Sequence, residues 1–105
     1  MQNPLYKIPD WELAVDGSAL TRTFIGNNFI GALVLANKIG LLCDQEVHYP
    51  EITVGQNYCY VVFKAQQSQD LQENDFIIAF KINQLLSRLR DKSSRAGLEQ
   101  FTLAT

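Results

Sequence analysis

The chain has 105 residues, 47% of them hydrophobic, which suits one domain with a modest core. Nine Lys and Arg against eleven Asp and Glu give a formal charge of −2, without the basic excess of a nucleic-acid binder. One histidine and two cysteines, with no CxxC spacing, are too few and too scattered for a protein-only zinc site.

Trp11–Val15 and Ala19–Ile25 read as two strands joined at Asp16-Gly17, a pair that tolerates positive φ. In the second arm Leu20, Arg22 and Phe24 share one face. Asn27 or Asn28 then caps a helix running to about Gln45. Its stripe is read as Phe29, Leu33, Ala36, Ile39 or Gly40, and Cys43, but Ile30, Val34, Leu41 and Leu42 make the opposite side apolar too. Pro50 ends this region. The segments "EITV" and "YCYVVFKA" read as strands around Gly55-Gln56-Asn57. A polar stretch leads to a second helix over residues 75–92, with Phe76, Ala79, Phe80, Leu86 and Leu89 along one stripe. Its start is capped either by Asp70 with Glu73, or from Gln72 with Asp75 in the first turn. Arg88, Arg90, Lys92 and Arg95 suit a solvated helix C-terminus.

The order β-β-α-β-β-α predicts an α+β domain of two layers, a four-stranded antiparallel sheet with two helices on one face. Residues 1–10 are read as an N-terminal extension, 11–92 as the domain and 93–105 as a loose tail. No signal peptide is evident at the N-terminus, and the longest apolar run is broken by Asn37 and Lys38, so a cytoplasmic chain with no membrane partner is expected. Cys43 and Cys59, in apolar settings, are expected as buried free thiols.

Several landmarks carry a resemblance. They are Trp11; "LTRTF" from Leu20; Phe29 and Ala32 opening the first helix; Asp44, His48, Pro50 and Glu51 in the spacing D-x3-H-x-P-E; and "L-x-E-N-D-F" from Leu71. Together they resemble the pterin-4a-carbinolamine dehydratase family over about Trp11 to Leu86. The resemblance implies the same two-layer fold. It also implies homodimers or homotetramers, with sheets joined edge to edge and helices packed across subunits. An early helix found in many members is missing or shortened here.

The family's site carries an acid, a His-His-Pro run, a later aromatic, a third histidine after the fourth strand and an aspartate in the last helix. The acid maps onto Asp44, the first histidine onto His48, the proline onto Pro50 and the helix aspartate onto Asp75. The second histidine maps onto Tyr49, the aromatic onto Gln56 and the third histidine onto Gln66. Asp44, His48, Pro50 and Gln66 are therefore the candidate ligand-binding positions. His48, Asp75 and Tyr49 are the candidate catalytic ones, as a relic.

Dehydrating a carbinolamine protonates a leaving hydroxyl while a proton leaves a ring nitrogen. Imidazoles do this well near neutrality. An amide such as Gln66 cannot, and a phenol such as Tyr49 titrates near 10 and is a poor base. His48, with Asp44 or Glu46 nearby, remains as one candidate base. Plain structural readings stand beside these: a strand-edge role for His48, packing roles for Tyr49 and Trp11, and a helix-start role for Asp75.

A degraded site on an intact fold resembles one branch of the family, a Rubisco assembly factor of bacteria with α-carboxysomes. That implies a chaperone for a protein client, no cofactor, no nucleic acid, and association with the carboxysome. The alternatives are an active 4a-hydroxytetrahydrobiopterin dehydratase, a lyase with His48 as general base, and a transcriptional coactivator, a role also found in the family.

Overall fold

The structure, a computed structural model, describes residues 8–66, 70–96 and 101–103, with side chains described within 8–66 and 70–89. The elements are β1 (Glu12–Leu13), β2 (Ala19–Gly26), α1 (Phe29–Glu46), β3 (Glu51–Val54), β4 (Tyr58–Lys64), α2 (Glu73–Ala96) and β5 (Phe101–Leu103). The antiparallel sheet runs β1-β2-β4-β3, and β5 joins the same edge of β2 that β1 occupies further along. This is the anticipated α+β architecture of two helices on a four-stranded antiparallel sheet, with one short strand added.

Strand alternation decides which face of the sheet the helices cover. Leu20 and Phe24 on β2, and Cys59, Val61 and Phe63 on β4, point inward. There they meet Leu35, Ile39 and Cys43 of α1 and Ile78, Ala79, Ile82 and Leu86 of α2 in one core. Each fully buried aromatic such as Phe24 or Phe63 contributes roughly 2–3 kcal/mol. Thr23, Ile25, Thr53, Tyr58 and Tyr60 lie on the opposite face, around an open depression of about 390 Å³.

Local sequence sets the boundaries. Asp16 Oδ1 accepts the Ser18 amide at 3.0 Å and Gly17 sits at φ 75, which turns the chain early and leaves β1 only two residues long. Asn28 is the N-cap of α1, its Oδ1 accepting the Gly31 amide at 2.7 Å. At the far end the Val47 amide donates to the Asp44 carbonyl and the His48 amide to the Cys43 carbonyl. This is a Schellman closure, with Val47 left-handed at φ 53 where glycine is usual.

Four sequence readings need correction. The buried face of α1 is Gly31, Ala32, Leu35, Ile39 and Cys43, while Phe29 and Leu33 are exposed. With both sides of the helix apolar, spacing alone does not fix its rotation. On α2 the core residues include Ile78 and Ile82, and Phe80 is exposed. Of residues 1–10, read as an extension, 1–7 lie outside the described residues, while Ile8 is buried in the core and Asp10 pairs with the buried Arg22. Of residues 93–105, read as a loose tail, 93–96 continue α2 and Phe101–Leu103 form β5 on β2, while 97–100, 104 and 105 lie outside the described residues. A three-residue strand held by backbone pairing leaves no periodic trace in the sequence.

Among the described residues no helix is long and apolar enough to cross a membrane. Cys43 and Cys59 are buried free thiols.

Candidate functional site

The end of α1 and the start of α2 carry the candidate site. The Schellman closure ends α1 and delivers His48 directly into the segment before β3. From α2, Asp75 enters at the third position of the first turn. His48 Nε2 and Asp75 Oδ1 are 2.6 Å apart, with the His48 side chain 25% exposed and that of Asp75 8%. An ionised carboxylate only accepts, so the imidazole donates from Nε2–H and keeps Nδ1 for other partners. The second carboxylate oxygen, Asp75 Oδ2, accepts the Gln72 amide at 2.7 Å. Gln72 is thus the residue that starts α2, and Asp75 satisfies one of the donors left over at a helix N-terminus. The structural and site readings of Asp75 describe the same carboxylate.

Behind the pair stands an aromatic wall. His48 stacks on Phe63, with centroids 5.6 Å apart and planes at 21°. Phe63 in turn packs against Trp11 at 5.8 Å. Asn83 Oδ1 fixes Trp11 by accepting its Nε1–H at 2.8 Å, and the same oxygen accepts Nη1–H of the buried Arg22 at 2.6 Å. Asn83 Nδ2 donates to the Pro9 carbonyl at 3.2 Å, and Arg22 lies over the Phe24 ring at 4.5 Å.

The other expected site residues are arranged differently. Tyr49 is exposed, and its hydroxyl donates to Asp44 Oδ1 at 3.0 Å. That hydrogen bond, with the charge of the carboxylate, holds the phenol above its ordinary value, which makes Tyr49 a weaker acid and still harder to ionise. Asp44 therefore partners Tyr49, and Glu46 partners Lys81 at 2.8 Å, so neither is the acid found beside His48. Pro50 is half-buried, and Gln56 and Gln66 are both exposed. Of the candidates, the structure joins His48 to Asp75 and Tyr49 to Asp44.

Sequence reasoning missed Asn83 and Phe63. A signal existed for the first: Arg22 alternates with Leu20 and Phe24 on an inward face, and a charge there requires a partner. For Phe63 there was none, since a strand phenylalanine reads as ordinary core.

Among the described residues no group of three or more His, Cys, Asp and Glu is placed to hold a metal ion. Among the described residues the site brings together one imidazole and the carboxylate that orients it.

Residues 1–85 match the family model for pterin 4 alpha carbinolamine dehydratase. The chain is similar to a protein of Methylococcus capsulatus named "Putative pterin-4-alpha-carbinolamine dehydratase", with 44% identity over 81 residues, 77% of this chain and 71% of the relative. A like-named protein of Halorhodospira halophila is 36% identical over 77% of this chain and 74% of its own length. In fold the chain is similar to the crystal structure of a transcriptional coactivator/pterin dehydratase from Brucella melitensis, with a TM-score of 0.67 and 25% identity, covering 78% of this chain and 87% of that one. On its sequence and its fold together, this chain belongs to the pterin-4-alpha-carbinolamine dehydratase family.

Proposed function

We propose that this protein is a family member that has given up catalysis and works as an assembly factor, a chaperone for a protein client. Rubisco in bacteria with α-carboxysomes is the client to which the degraded site points by resemblance. One observation carries the reading. Of the proton-shuttling positions expected of the family, only His48 keeps an imidazole, while Tyr49 is an exposed phenol bound to Asp44 and Gln66 is an exposed amide. A positioned acid–base group is worth about 10²–10⁴-fold in rate, so losing two removes most of the chemistry.

Protein contact is supported by the helix layer, where Phe29, Ile30, Leu33, Leu41, Ile77 and Phe80 are all exposed. In this reading that surface serves a homodimer or homotetramer and the client. In this reading the protein works in the cytoplasm beside the carboxysome, without a cofactor or nucleic acid. The test is assembly of Rubisco from its separate subunits with and without the purified protein. Raised yield, with a subunit retained on the immobilised chain, supports the reading. Unchanged yield with no subunit retained sinks it.

A second reading, a working 4a-hydroxytetrahydrobiopterin dehydratase, is favoured by the His48–Asp75 geometry. Donation from Nε2–H to the carboxylate fixes the ring and leaves Nδ1 to take a proton as general base.

A further inference from the structure

The C-terminal segment carries an inference independent of the functional reading. The family match ends at residue 85, yet α2 continues to Ala96 and the chain returns as β5. That strand pairs Phe24 with Leu103, Ile25 with Thr102 and Gly26 with Phe101. On the same edge, β1 pairs only with Leu20 and Thr21. Two strands from opposite ends of the chain thus divide one side of β2.

The direction of the backbone groups of β2 follows from its ladder. The Gly26 amide donates to the Asn57 carbonyl on the β4 side at 2.7 Å, and Ala19 accepts from the Ala14 amide on the β1 side at 2.8 Å. Hydrogen-bonding groups alternate sides along an antiparallel strand, so those of Ile25 point away from β4. At Ile25 the strand opposite is β5, and the partner residue is Thr102. Without β5, the outer side of β2 at this end offers an exposed donor and acceptor on a regular strand, which is a template for another chain.

We propose that β5 is an edge guard: it fills the β2 edge at Phe24–Gly26 from within the chain and bars that edge from pairing with a second copy. The sheet then ends in β1 and β5, two and three residues long, on one side and in the four-residue β3 on the other, so β3 is the longest edge strand for association.

Hydrogen exchange at the Ile25 amide, read with the mass of the assembly by light scattering, tests this. In the unaltered chain the Ile25 amide is protected. Thr102→Pro removes the amide that faces Ile25, and Thr102→Asp weakens the pairing without proline. In either variant Ile25 loses protection, the Gly26 amide bonded to β4 keeps it, and larger assemblies form at lower concentration. An Ile25 amide that exchanges freely in the unaltered chain overturns the proposal, as does an unchanged mass in a variant whose Gly26 stays protected. Since the unaltered chain is itself decisive, a variant that fails to fold does not shelter the idea.

Discussion

Asp75 binds His48 and the start of its own helix with one carboxylate: Oδ1 lies 2.6 Å from His48 Nε2, and Oδ2 accepts the Gln72 amide at 2.7 Å. The imidazole and the N-terminus of α2 are therefore fixed together. Asp75→Ala strands both partners and is expected to cost about 2–3 kcal/mol. Asp75→Asn, which keeps one acceptor, should cost about half as much. Urea unfolding of the two variants checks this, and equal losses would contradict the double role.

Asn83 holds Trp11 and Arg22 on a single oxygen. Asn83→Ala leaves an indole donor and a buried guanidinium short of an acceptor, with an expected loss of about 2–4 kcal/mol. Asn83→Asp keeps the acceptors and adds a charge opposite Arg22, so it should be milder than alanine. The order of the two unfolding midpoints is the readout; aspartate at or below alanine would refute the network.

Val47 is a β-branched residue in the left-handed region, at φ 53 and exposed. Glycine removes the clash that costs an L-residue roughly 1–2 kcal/mol there, against about 0.5–1 kcal/mol for glycine's extra freedom when unfolded. Val47→Gly is accordingly expected to stabilise by about 0.5–1 kcal/mol. A lower melting temperature would show that the closure of α1 is not strained.

Burial pushes the Cys43 thiol up from 9.0 to about 11, with a smaller contribution from the negative Glu46, and burial alone does the same for Cys59. As pH rises past 9.0, the unfolded chain releases these protons first, so the folded state binds more of them and stability falls until about pH 11. Below that window both thiols are protonated in both states and contribute no slope. The decline should approach about 1.4 kcal/mol per pH unit for each thiol. Urea midpoints across the window, compared with a Cys43→Ala/Cys59→Ala double variant, check the slope. An equally steep decline in the variant would assign it elsewhere.

The fold was legible wherever one physical preference ruled. The Asp16-Gly17 turn, the Asn28 cap and the alternation of β2 follow from local chemistry and are found in place. The rotation of α1 was not legible, because Leu33 and Leu35 are equally apolar and only packing decides that Leu35 is buried. Neither was the length of α2 or the presence of β5, which depend on backbone pairing more than on side-chain pattern. At the site, His48 and Asp75 were singled out and the structure joins them. The acids first set beside His48 were Asp44 and Glu46, its neighbours in sequence, but helix geometry turns those toward Tyr49 and Lys81.

Turnover of a carbinolamine pterin by the purified chain, set beside that of its His48→Ala variant, decides between a retired and a working site. Both are expected to run at the uncatalysed rate, because the chain holds a single histidine and the pair of His48 with Asp75 lacks the further imidazoles that would complete the proton exchange. A rate well above background that disappears with His48 would contradict it and make the protein a dehydratase.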